Sequence, residues 1–313
     1  MTQITHWING APDTKKPERT GDIYNPATGK VTGTVAFGNA ATVDSAVSAA
    51  TAAFAEWRHS SLTKRTQVLF AFRELVAQNK EKIAALITAE HGKVLSDAAG
   101  EVTRGLEVVE FACGIPHLLK GGFSEEVSTG VDVYSIRQAL GPVAIISPFN
   151  FPAMVPMWFF PVAIACGNTV VVKPSEKDPS AAMFMAQLWK EAGLPDGVFN
   201  IVHGDKEVVD ALLVHPGIKS ISFVGSTPIA RCLRAQSLPA RTSRPVSRRR
   251  ENGFWRGRFS PSGRRRCLCE TPHWPRFPEH FPRLTEACCA LIQWGLPAQQ
   301  SREWQQQQEV PGR

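Results

Sequence analysis

Apolar and polar positions change their period several times along this chain of 313 residues. The first forty fall into short β-prone pieces between turn residues, WINGAP and then DIYNPATGKVTGTVAFG, which predicts an extended arm with hairpins. A helical period follows. Thr42 is placed to cap TVDSAVSAATAAFAEWR, with Val43, Val47, Ala50 and Phe54 along one stripe. Val68, Phe72, Leu75 and Val76 begin a second amphipathic run that reaches Ile87 and stops near Gly92. The segment DAAGEVTRGLEVVEFACGIPHLL predicts another helix, ending before Pro116. Next, GGFSEEVSTGVDVYSIRQAL alternates without a helical stripe, so residues 122–140 are expected to form a β-hairpin that leaves the domain body.

From Gly141 the pattern becomes regular. The β-branched runs VAIIS (143–147), NTVVV (168–172), VFNIV (198–202) and SISFV (220–224) alternate with helix-compatible stretches. Nearly all-apolar strands spaced by helices predict a parallel sheet covered on both faces. With right-handed crossovers the fold class is α/β, a doubly wound, Rossmann-like sheet. One stretch imitates a membrane span, since no charged residue lies between Gln138 and Val172. Pro142, Pro148, Pro152, Pro156 and Pro161 interrupt any such helix, and Gly167-Asn168 punctuate its end. A strand, a turn and a buried helix are expected there, and no membrane partner.

Charge divides the chain. Up to Ala230 there are 13 Lys and 6 Arg against 22 acidic residues, a net of −3. From Arg231 to Arg313 there are 16 Arg, 6 Glu, no Lys and no Asp, a net of +10. The overall +7 therefore describes neither part. Val246, Ile292 and Val310 are the only β-branched aliphatics after Ala230, among nine prolines, four tryptophans and a QQQQ run. No parallel sheet can continue on that composition, and residues 231–313 are expected to be irregular or disordered. CLCETPHWPRFPEH lacks standard zinc spacing, and none of Cys267, Cys269, Cys288 and Cys289 sits in a strand–turn context with a base. SRRRENGFWRGRF, mixing Arg with aromatics, offers an alternative reading as an RNA- or phosphate-binding tail, but no module motif surrounds it. Before residue 231 only Cys113 and Cys166 occur, too few for a disulfide framework, and MTQITHWINGAPD has no secretory pattern. A reducing cytoplasm is expected.

Ligands of a doubly wound sheet sit beyond the C-terminal ends of its strands, and four segments reach that edge. After VAIIS comes PFNFP, whose two prolines hold the backbone extended and let Asn150 present its amide at a fixed place. That neutral donor suits an oxyanion on a carbonyl under attack, or merely satisfies turn backbone groups. After NTVVV comes KPSEKDP, in which Lys173 and Glu176 offer a cation and an acceptor to one ligand, or form a solvated charged loop. A carboxylate beside a ribose accepts its hydroxyls and disfavours a 2′-phosphate. After SISFV comes GSTPIA, where Gly225 permits a tight turn and Ser226 and Thr227 can cap a helix whose N–H groups suit a pyrophosphate. GxGxxG is absent, and an ordinary βα turn has the same residues. His203, in HGDKE after VFNIV, reads as a turn residue.

Together ISPFNFP, ACGNTVVVKPSE, GLPDGVFNIVHG and ISFVGST resemble the aldehyde dehydrogenase superfamily, in order and approximate spacing, over residues 4–231. Within it, FNFPAMVPMWFFPVAIACGN, VTRGLEVVEFACG and SISFVGSTPIA look like the CoA-acylating methylmalonate and malonate semialdehyde dehydrogenases. The resemblance implies an NAD-binding domain over residues 1–121 and 141–230, and an oligomerisation hairpin over 122–140 of a homo-oligomeric family. It implies that Lys173 and Glu176 hold the adenosine ribose with Ser175 and Lys177 beside them. Gly225 and Ser226 would line the pyrophosphate, Ser147 and Phe149 the cofactor channel, and Asn150 would be the oxyanion donor. Arg104 matches an arginine that pairs with the distal carboxylate of the semialdehyde substrate. In the family a Cys thiolate attacks the aldehyde, hydride passes to NAD, and CoA takes the acyl group. The motif of that cysteine is not found here, so an inactive version of the enzyme is expected. Codons for RPVSRRRE (244–251), read one nucleotide later, allow Val-Gln-Ser-Leu-Gly-Gly-Ala-Lys, which resembles the family's next segment. Residues 231–313 are accordingly expected to be an out-of-frame reading of the catalytic half.

Overall fold

The structure, a computed structural model, describes residues 2–227 and 229–231. The expectations for the Arg-rich tail, its cysteines and its reading frame lie outside these residues. Five short strands come first: β1 (Thr2–Ile4), β2 (Trp7–Ile8), β3 (Ala11–Pro12), β4 (Arg19–Asn25) and β5 (Lys30–Phe37). Then come α1 (Ala40–Trp57), α2 (Leu62–Gln78), α3 (Lys80–His91), α4 (Leu95–Cys113) and the single turn α5 (Ile115–Leu118). A hairpin, β6 (Phe123–Ser128) and β7 (Val131–Tyr134), precedes the alternating part. That part runs β8 (Pro142–Ile146), α6 (Met154–Ala165), β9 (Thr169–Lys173), α7 (Ser180–Glu191), β10 (Phe199–Ile201), α8 (Lys206–Val214) and β11 (Ser220–Phe223).

The main sheet has the order β11-β8-β9-β10-β2-β3, with β11, β8, β9 and β10 parallel. Successive residues of each central strand enter opposite cores. Val143, Ile145, Val170, Val172, Phe199 and Ile201 pack under α2, α3, α4, α6 and α7. Ala144, Val171 and Val202 pack against α1 and α8. Both faces are covered, which is why period-two alternation of apolar and polar residues never develops in these strands. From β8 the chain steps through β9 to β10 in one direction, then returns to place β11 on the other side of β8. The strand order therefore reverses between β8 and β11, where a doubly wound sheet opens its crevice.

Several local expectations change. The N-terminal segments form the expected hairpins, with Asn9 and Gly10 at φ of 54° and 78° turning β2 into β3. They are not a free arm, because β2 joins the main sheet antiparallel to β10 and β1 pairs with β5 in a second sheet. Helix α1 is capped by Asn39, not Thr42. Thr42 occupies the third helical position and returns the bond, so the two form a reciprocal capping box. The amphipathic run to Gly92 is two helices broken at Asn79, and Gly92 closes the second in the left-handed region. Helix α6 is apolar all round because it is sandwiched between the sheet and α2 and α4. Pro156 lies in its first turn, where no N–H bond is lost, and Pro161 sits inside. Among the described residues no helix is long and apolar enough to cross a membrane. The β6–β7 hairpin forms its own two-stranded sheet with every strand residue exposed.

Candidate active site

The strand register sets the site. Ile146 pairs with Lys173 on one side and with Phe223 on the other, so the segments after β8, β9 and β11 leave the sheet side by side. Ser147 N–H donates to Lys173 O at 3.1 Å and Val224 N–H to Ile146 O at 3.3 Å, carrying the pairing one residue past each strand. A Cβ on Gly225 would lie 2.4 Å from the tip of the Phe223 ring, so any larger residue there would have to displace that ring. Ala230 N–H donates to Ser226 O at 3.0 Å, which puts Ser226 at the cap position of the following turn.

On the β9 side, Lys173 Nζ meets Glu176 Oε2 at 2.9 Å, with Lys173 buried and Glu176 half-buried. Burial pushes the Glu176 carboxyl up, but the charge and hydrogen bond of Lys173, together with Lys177, outweigh it and hold it below the usual carboxylate range. Ser175 is buried, and its Oγ accepts from Lys177 N–H at 3.1 Å. Lys177 Nζ stands 5.7 Å from the centre of the Phe149 ring, and His91 stacks on that ring at 4.5 Å. Ser147 Oγ is buried at the switch point and has no hydrogen-bond partner among the described residues.

Asn150 is exposed at the same edge, and its side-chain amide bonds to none of the described residues. An asparagine that served only to satisfy its turn would show the opposite. Its backbone carbonyl instead accepts from Lys93 Nζ at 2.8 Å. The same Nζ pairs with Glu101 Oε2 at 2.6 Å, and Glu101 Oε1 accepts the backbone N–H groups of Ala153 and Met154 at 2.9 and 3.1 Å. Helix α6 has no capping side chain of its own, and the fully buried Glu101 serves instead. Lys93 and Glu101 carry no signal in the periodicity; a charged residue on the inward face of α4, in phase with Ala98, Val102 and Gly105, was the trace available.

Arg104 lies one helical turn beyond Glu101 and faces outward. It lines a cavity of about 310 Å³ with Lys93, Ser96, Asp97, Gly100 and Phe151. Among the described residues Arg104 enters no ion pair; its Nε rests 3.3 Å from Met154 Sδ and its guanidinium 6.0 Å from the Phe151 ring centre. A free cation therefore borders a pocket that reaches the Asn150 loop.

Two further groups lie beneath. Asp178, in the β9–α7 segment, is buried with no well-formed hydrogen bond to either oxygen. Burial pushes its carboxyl up to about 8; Glu90 and Glu101 add to the shift, while the nearby Ser175 hydroxyl and Lys93 oppose it. His203 is not the simple turn residue its context suggests. It is buried, its N–H donates to His6 Nδ1 at 3.1 Å, and the two rings stack at 6.0 Å. Burial, then His6 and Lys173, pushes its imidazole well below the ordinary histidine range, so it is a neutral structural ring.

Neither described cysteine joins the site. Cys166 follows α6 and leads into the start of β9, at the sheet edge opposite Lys173. Cys113 ends α4. Burial pushes both thiols up, away from the thiolate that a nucleophile needs.

The chain is similar to known proteins in sequence and fold. The model of the aldehyde dehydrogenase family matches residues 13–247. The malonate-semialdehyde dehydrogenase of Pseudomonas aeruginosa is 51% identical over 236 residues, covering 75% of this chain and 47% of that protein. The acylating, mitochondrial methylmalonate-semialdehyde dehydrogenase of Arabidopsis thaliana is 52% identical over 205 residues, covering 66% of this chain and 34% of that one. A crystal structure from Sinorhizobium meliloti 1021, described as a methylmalonate-semialdehyde dehydrogenase complexed with NAD, superposes with a TM-score of 0.75 at 48% identity, covering 77% of this chain and 49% of that one. The chain thus spans less than half the length of each of these relatives.

Proposed function

The chain belongs to the aldehyde dehydrogenase family, and we propose that its described residues are the NAD-binding part of a CoA-acylating malonate or methylmalonate semialdehyde dehydrogenase. The observation that carries this is the free amide of Asn150 standing at the switch point beside the Lys173–Glu176 pair. The residues present fit a dinucleotide. The Ser147 hydroxyl is buried just past β8 with no partner among the described residues, and Glu176, its carboxyl held low beside Lys173, would accept from ribose hydroxyls. Lys173, Glu176, Ser175 and Lys177 would hold the adenosine ribose, Gly225 and Ser226 the pyrophosphate, and Ser147 and Phe149 the remaining channel. When bound, NAD supplies the hydride acceptor.

Asn150 would donate to the oxygen of the substrate aldehyde, because a neutral N–H donor outside the strand ends stabilises developing negative charge without itself ionising. Arg104 would hold the distal carboxylate of the semialdehyde in the neighbouring cavity. CoA would be the acyl acceptor. The exposed β6–β7 hairpin would pair with a second copy of the chain, and the free thiols of Cys113 and Cys166 accord with a reducing cytoplasm.

A covalent step needs a thiolate about 3 Å from the carbonyl, and both described thiols stand away from Asn150. Cys267, Cys269, Cys288 and Cys289 lack the strand–turn sequence context of a nucleophile, so the 313-residue chain is expected to bind NAD, to bind NADP more weakly, and to oxidise malonate semialdehyde no faster than background. Calorimetric titration with both dinucleotides and an absorbance assay at the NADH band test this. Absence of any heat with NAD would overturn the cofactor assignment, and measurable turnover would overturn the expected inactivity.

A further inference from the structure

Resting on the reading of Asn150 as the donor to a carbonyl oxygen, we propose that Lys93 and Glu101 are positioning residues for it: their ion pair sets where the Asn150 amide stands. Among the described residues the amide has no partner, so its place is decided by its backbone. That backbone has little local support. Pro148 and Pro152 donate no N–H, and α6 begins at Met154 with no cap from its own N-terminal residue.

What holds it comes from α4 and the segment before it. Lys93 Nζ donates to Asn150 O at 2.8 Å and rests 4.7 Å from the centre of the Phe151 ring. Glu101 takes that same Nζ on one oxygen and the N–H groups of Ala153 and Met154 on the other. One ion pair therefore grips the segment on both sides of Pro152. Glu101 is 0% exposed and the Lys93 side chain 12%, so the ion pair itself is largely shielded from water, while the bond from Lys93 to Asn150 O lies at the surface.

The two halves of the clamp have separable roles. Glu101 alone would suffice to cap α6. Among the described residues the Lys93 ammonium bonds to Glu101 and Asn150 and lies over the Phe151 ring, and none of its hydrogen bonds goes to α6. If the pair were simply a helix cap, loss of Lys93 would leave Asn150 where it is. If the pair positions the donor, loss of Lys93 frees it.

The test compares wild type, Lys93→Met and Lys93→Arg as the full chain. It uses hydrogen-exchange mass spectrometry of peptides covering residues 149–155 and the side-chain amide signal of Asn150 in ¹⁵N-Asn-labelled protein, assigned by its loss in Asn150→Ala. Lys93→Met is expected to speed exchange at 149–155 at least tenfold and to shift or broaden the Asn150 signal. Peptides from β9 and α7 should keep their wild-type rates, and Lys93→Arg should restore both readouts. An unmoved Asn150 signal in Lys93→Met, or loosening shared equally by β9 and α7, overturns the proposal. Should Lys93→Met fail to fold, Lys93→Gln is read by the same two outcomes. NAD titration of wild type is read separately: its failure removes the cofactor assignment, while the exchange data alone decide the clamp.

Discussion

The loops after β8 and β9 leave the sheet side by side, yet they are held in different ways. The β9 loop supports itself. Lys173 reaches Glu176 three residues on, and Ser175 accepts from Lys177 two residues on. The β8 loop is held by Lys93 and Glu101, fifty or more residues earlier in the chain. A self-contained loop can be read as a motif, because its partners are its neighbours. A loop clamped from afar looks like a pair of prolines around an asparagine and nothing more. Asp178, electrostatically linked to Lys93, Glu90 and Glu101, lies between the two systems.

The largest effect should come from breaking the distant clamp. Glu101→Ala removes a fully buried carboxylate and leaves both Lys93 and the α6 N-terminus unpaired. A loss of about 3–5 kcal/mol is expected in urea denaturation. The group between the loops comes next. Burial pushes the Asp178 carboxyl up to about 8, against an ordinary value near 3.8. Between those values the folded state binds the extra proton, so this contribution is complete below about pH 4 and fades as pH rises towards 8. Asp178→Asn should remove that slope and leave the protein on the order of 1–3 kcal/mol more stable than wild type at pH 8. An unchanged slope would show that Asp178 is ionised in the fold.

The self-contained loop should respond through ligand more than through stability. Glu176→Ala removes the half-exposed member of the pair and leaves the buried Lys173 ammonium unpaired, a loss on the order of 1–2 kcal/mol and smaller than at the distant clamp. It should weaken NAD binding roughly tenfold, as one charge-assisted ribose contact is worth about 1.5 kcal/mol, and narrow the preference over NADP. Smallest of all, Asn150→Ala should change stability by no more than about 0.5 kcal/mol, because its amide bonds to nothing in the described protein. A larger loss in thermal denaturation would mean that the side chain is structural after all.

These contrasts mirror what could be read in advance. The parallel sheet was legible because β8, β9 and β10 are mostly apolar runs, a composition that coverage on both faces explains, whereas β11 alternates Ser with Ile and Phe and is only half-buried. Lys173, Glu176, Asn150 and Gly225 were legible because each lies at or just past the end of one of these strands. The cap of α1 was misplaced by three residues, since Asn39 and Thr42 are both good caps and only the reciprocal bonds tell them apart. The β2 hairpin was recognised from Asn-Gly, but its seat beside β10 was not, since strand pairing across nearly two hundred residues leaves no local mark. His203 looked like a turn residue because burial against His6 is equally a long-range event.

The sequence by itself determined the elements, their alternation and the side chains delivered to the sheet edge, because hydrophobic period and turn chemistry act between near neighbours. The tertiary structure alone decided that Arg104 remains a free cation over a cavity, that Asp178 is held neutral, and that one buried ion pair carries the Asn150 loop. Those outcomes depend on burial and on charges brought together from distant segments, and neither exists until the sheet and its helices have packed.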